Sequence, residues 1–76
     1  MKEILIILKN FYTKKTINVL QKETDLDTYR ELIKELDINL QEIIIYSEAK
    51  KMFISENNKI QDKDKIILFN TNGQVL

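Results

Sequence analysis

Seventy-six residues bound this chain to one domain with a small core, since a chain of this length buries only about 60% of the surface its unfolded form exposes. Twelve basic and twelve acidic residues cancel, which argues against a nucleic-acid partner. With no cysteine, no histidine and one glycine, the sequence lacks a disulfide, a thiolate metal site, the commonest general base and a phosphate-cradling loop, so no enzyme, cofactor or metal is expected.

The charges are not spread evenly. Residues 23–42 hold seven acids (Glu23, Asp25, Asp27, Glu31, Glu35, Asp37, Glu42) against two bases (Arg30, Lys34), a net −5 that leaves +5 to the rest. One acidic face and one mildly basic remainder follow, and a solvated helix face is the simplest form of the acidic part. The opening MKEILIILKN has five consecutive apolar residues, too few for a signal peptide or a membrane span. A cytoplasmic protein with no membrane partner is expected.

In chain order, residues 3–9 form a strand whose unbroken apolar run, Ile4 to Leu8, suits a central position. Residues 10–15 turn, and residues 16–21 return as a second strand, giving a hairpin. Residues 28–36 form a helix. Thr28 and Glu31 have capping-box spacing, Asp25 and Asp27 lie at the positive end of the helix dipole, and Tyr29, Leu32, Ile33 and Leu36 make one apolar stripe. That stripe is core, and Ile38 and Leu40 pin the exit from the helix to the sheet. Residues 42–47 form a third strand, residues 52–54 a short edge strand, and residues 65–69 the last strand. Ile60 drops into the core ahead of a turn at Asp62, Lys63 and Asp64. These two carboxylates fall short of the ligand number a calcium loop needs, so they read as turn residues.

The order is ββαβββ. It predicts an α+β domain in which one helix lies across one face of a mixed five-strand sheet. The other face is then left with apolar side chains. If Ile66 and Leu68 point to the helix, Ile67 and Phe69 point away. Either Leu5 and Ile7 or Ile4 and Ile6 join them. Leu5, Ile7, Ile44, Ile67 and Phe69 form the candidate partner-binding set, because a contiguous apolar patch on a small domain marks an interaction site, a homodimer included. The basic pairs Lys14-Lys15 and Lys50-Lys51 read by default as solvated turns, with an acidic partner as the functional alternative.

The helix TYRELIKELDI, the strand LQEIIIYSE and the segment IQDKDKIILF together resemble the ubiquitin-like β-grasp fold and, within it, the ThiS/MoaD sulfur-carrier family. The family's late pattern is an apolar residue, Asp-Gly-Asp, an apolar strand and a short tail ending in Gly-Gly. Ile60, Asp62, Asp64, Ile66, Leu68 and Phe69 match that frame. Lys63 stands where the family has glycine, and Gln74 and Val75 stand near the expected glycine pair. The resemblance implies a carrier for sulfur transfer of the thiamine or molybdopterin kind. Its terminal carboxylate would be adenylated and converted to a thiocarboxylate, and its partners would be an adenylating enzyme and a sulfur-accepting synthase. It also implies a carrier tail at Asn72, Gly73, Gln74, Val75 and Leu76, mobile from about residue 71. Trimming after Gly73 would leave a terminal glycine. The bulkier residues of that tail fit an alternative: a ubiquitin-like protein–protein interaction module that does not conjugate.

Overall fold

The computed structural model describes residues 1–72. β1 (Lys2–Asn10) and β2 (Thr16–Thr24) form an antiparallel hairpin in which Ile6 faces Leu20 and Lys2 faces Thr24. β2 outruns its expected end at residue 21, because pairing with β1 carries the polar residues Lys22, Glu23 and Thr24 along. A register shift between Leu8 and Lys9 bulges β2 beside the turn. With no glycine at hand, the turn is closed by Asn10, whose Oδ1 accepts from the amides of Tyr12 (2.9 Å) and Thr13 (3.0 Å). Lys14 takes the left-handed position at φ 62°.

Helix α1 (Tyr29–Glu35) starts and stops by local chemistry. Thr28 is the N-cap, its oxygen accepting from the Glu31 amide while Glu31 reaches back to the Thr28 amide, so the expected capping box is present. The first two helical amides find partners outside the helix: Tyr29 donates to the Asn58 carbonyl (3.2 Å) and Arg30 to that of Glu56 (2.8 Å). At the far end the Ile38 amide donates to Ile33 and the Asp37 amide to Lys34, with Asp37 left-handed at φ 59°. That is the Schellman arrangement, closed here by aspartate where glycine is usual.

A 3-10 turn (Leu40–Glu42), capped by the Asn39 side chain, leads into β3 (Ile43–Ser47), which pairs with the short β4 (Met52–Ile54). The loop after β4 returns past the helix N-terminus, where the Ile60 amide donates to the Asp27 carbonyl at 2.7 Å. It then enters β5 (Lys65–Asn70). β5 lies parallel to β1 and antiparallel to β3, giving the strand order β2-β1-β5-β3-β4. This is the ubiquitin-like β-grasp arrangement: one five-strand mixed sheet clasping one helix.

The core lies between helix and sheet. Tyr29, Leu32 and Ile33 from α1 meet Ile4 and Ile6 of β1, Ile45 of β3, and Ile66 and Leu68 of β5, with Ile60 buried at the margin. Ile66 and Leu68 do face the helix, both fully buried, so Leu5 and Ile7 are the β1 pair on the opposite face. No helix among the described residues is long and apolar enough to cross a membrane.

Candidate functional site: the uncovered sheet face

Nothing in the described residues covers the face opposite α1. Strand register builds it in rows. Val19, Ile7, Ile67, Tyr46 and Phe53 are successive cross-strand partners and form one row over all five strands. Lys9, Phe69 and Ile44 form the next row toward the β1–β2 turn, and Gln21, Leu5 and Lys65 the row on the other side. The five residues expected to bind a partner therefore share this face. They do not share it equally. Ile44 is exposed, and Leu5, Ile7 and Phe69 are half-buried. Ile67 is only 8% exposed, flanked in its row by Ile7 and Tyr46. It supports the surface and offers little of itself to a partner.

An aromatic diagonal crosses the rows. Ring centroids step from Tyr12 to Phe11 (5.4 Å), Phe69 (6.0 Å), Phe53 (6.2 Å) and Tyr46 (5.3 Å), three of the four contacts edge-to-face. Five of the chain's six aromatic side chains lie on it, and Phe53 and Tyr12 are more than half exposed. Aromatic rings this open make this face the candidate site. Tyr46 could have been found by alternation from Ile44, and Phe53 by its pairing opposite Tyr46. Phe11 and Tyr12 carry no such signal, because the Asn10 side chain and the left-handed Lys14 aim them.

The Asp62–Asp64 turn is built into the fold. Lys63 is left-handed at φ 66°, so lysine adopts the conformation the resembled pattern gives to glycine. Its amide donates to the Glu3 carbonyl (2.7 Å), and Asp62 accepts from the Glu3 amide (2.7 Å). The Lys63 ammonium, paired with Glu3 at 2.6 Å, is held protonated above its usual range by that bond. Asp64 is buried and receives four hydrogen bonds. Oδ2 accepts from Tyr29 Oη (3.1 Å) and Ser47 Oγ (2.8 Å), and Oδ1 from the amides of Ala49 (3.1 Å) and Lys65 (2.7 Å). With both oxygens so engaged, Asp64 ties α1, β3 and β5 together.

The segment after β5 leaves beside the aromatic diagonal. Thr71 is held by the Glu42 carbonyl through its amide (2.7 Å) and hydroxyl (3.0 Å), and its own carbonyl accepts from Tyr12 Oη (3.3 Å). Asn72 bonds Asn70 Oδ1 through its amide and reaches Glu42 through its side chain. The expected tail therefore begins with two anchored residues. Gly73, Gln74, Val75 and Leu76, and the mobility expected of them, lie outside the described residues.

No protein-family model matches this chain, and no curated protein matches it either.

Proposed function

We propose that this β-grasp domain works by docking its uncovered sheet face on a protein partner, as a carrier of the ThiS/MoaD sulfur-transfer kind. The partner would be an adenylating enzyme or a sulfur-accepting synthase. One observation supports this reading most. The apolar face and the departure point of the segment after β5 adjoin, joined by the hydrogen bond from Tyr12 to Thr71. A partner gripping the face would meet Thr71 and Asn72, where the segment after β5 departs. The resemblance at Ile60 to Phe69 supplies the chemistry: a terminal carboxylate adenylated by the partner, then converted to a thiocarboxylate.

A second reading is favoured by Gln74 and Val75, whose side chains hinder the close backbone approach that a glycine pair permits. In that reading the domain keeps the docking face and serves as an interaction module without carrying sulfur. Intact mass spectrometry after incubation with a ThiS/MoaD-type adenylating enzyme, ATP and a sulfide donor separates the two. The carrier reading expects an oxygen-to-sulfur mass gain at the C-terminus, with or without trimming to Gly73. An unchanged mass alongside retained binding assigns the module.

A further inference from the structure

The lysines around the uncovered face specify its partner further. Lys14 is fixed on the aromatic diagonal: its ammonium bonds the Phe11 carbonyl and lies 4.1 Å from the Phe11 ring centroid and 5.1 Å from that of Phe69. Lys15 follows it in the β1–β2 turn. At the opposite end of the sheet, Lys50 and Lys51 occupy the β3–β4 turn, just past the contact between Tyr46 and Phe53. Lys9 and Lys65 stand on the face itself, in register with Phe69 and Leu5. None of these six lysines forms an ion pair among the described residues. The pairs present there use Met1, Lys22, Arg30 and Lys63. Glu3, on the same face, is taken by Lys63, which leaves Glu23 in register with it, Glu42 beside Thr71 and Glu48 in the β3–β4 turn as carboxylates outnumbered by the six. Asp25, Asp27, Glu31, Glu35, Asp37 and Glu56, half of the chain's acids, lie on or beside α1, on the other side of the sheet.

We infer that the uncovered face docks an acidic protein surface, with apolar side chains over Ile7, Tyr46 and Phe53 and carboxylates reaching the lysine pairs at both ends of the diagonal. This rests on the docking reading above and names the chemistry of the partner. A second copy of the chain fits poorly in either orientation. Face to face, lysine-bearing ends meet lysine-bearing ends. Face to back, the acids around α1 would answer the lysines, but the apolar rows would lie against the exposed Arg30, Glu31, Lys34 and Glu35, which offer nothing apolar. A nucleic-acid strand fits poorly too. Bases stack on open ring faces, whereas these rings meet edge-on at 86°, 88° and 77°, and Lys14 lies over the faces of Phe11 and Phe69.

The test is a titration of nitrogen-15-labelled protein, followed by amide shifts, with three probes: a peptide of alternating aspartate and leucine, its asparagine-for-aspartate analogue, and oligothymidylate. The acidic peptide should shift Ile7, Tyr46 and Phe53 and bind about tenfold more tightly than the analogue. That advantage should fade in high salt and in a Lys15→Glu/Lys50→Glu variant, which changes neither a left-handed residue nor a ring contact. Equal binding of both peptides at these signals would overturn the acidic-partner inference and keep the docking reading. Shifts confined to the helix side, or no binding by either peptide, would remove both. Tighter binding of oligothymidylate at the lysines would reassign them to phosphate and overturn the inference.

Discussion

Tyr29 and Asp64 share a buried hydrogen bond, and each explains the other's place. A carboxylate sealed away from water costs several kcal/mol unless its lone pairs are filled. Asp64 meets that condition with two hydroxyls and two backbone amides, and no cation pairs with it among the described residues. Tyr29 responds electrostatically. Burial pushes its hydroxyl from 10.0 up to about 12, the Gln61 amide opposes this, and the Asp64 charge adds to it. The folded chain thus holds the Tyr29 proton more tightly than the unfolded chain does. The stabilisation is complete below pH 10 and is lost progressively as pH rises from 10 through 12. Tyr29→Phe should cost about 1–2 kcal/mol at neutral pH, through the donor taken from Asp64. Across pH 10–12 the gap to the parent chain should narrow, because phenylalanine has nothing to ionise. Urea midpoints measured for both chains over that range check it, and a constant gap would refute the linkage.

At the scale of elements, what could be read in the sequence follows how local the deciding interaction is. Helix α1 was legible from Thr28, Glu31 and the stripe through Leu36, because a capping box needs only neighbours three residues apart. The phase of β5 was legible because alternation leaves two choices and Ile66 and Leu68 made one of them. In the sequence Asp64 reads as the twin of Asp62 in a turn. Its burial is set by Tyr29 and Ser47, 35 and 17 residues away, and no local pattern carries that. The aromatic diagonal was hidden for a related reason, since half of it depends on how the Asn10 turn points Phe11 and Tyr12. Left-handed lysines carry no signal at Lys14 and Lys51, whereas at Lys63 the resembled pattern has glycine. This gives a prediction for the turn. Lys63→Gly removes the left-handed strain and gives up an exposed pair with Glu3, which contributes little in water. The variant should melt a few degrees higher, roughly 2–4 °C by calorimetry. A lower melting temperature would mean that the Glu3 pair outweighs the strain.

For the whole molecule the governing fact is that one seven-residue helix cannot shield both sides of a five-strand sheet. The two sides should therefore differ in what they contribute to folding. Leu68 is fully enclosed beneath α1, and Leu68→Ala should cost about 2–5 kcal/mol, the range for a cavity cut in a packed core. A chain of this size has roughly 4–11 kcal/mol in total, so that variant should sit near its unfolding limit. Phe53 lies on the uncovered side at 53% exposure, touching Tyr46 and Phe69. Phe53→Ser forfeits little beyond those ring contacts, about 1 kcal/mol, and should leave the urea slope unchanged. Binding should respond in the opposite order. Phe53→Ser should weaken capture of the acidic peptide markedly, while Leu68→Ala, measured where it is still folded, should bind like the parent chain. If Phe53→Ser destabilises the fold as much as Leu68→Ala does, the uncovered face belongs to the core, and its aromatic rings are explained by stability without any partner.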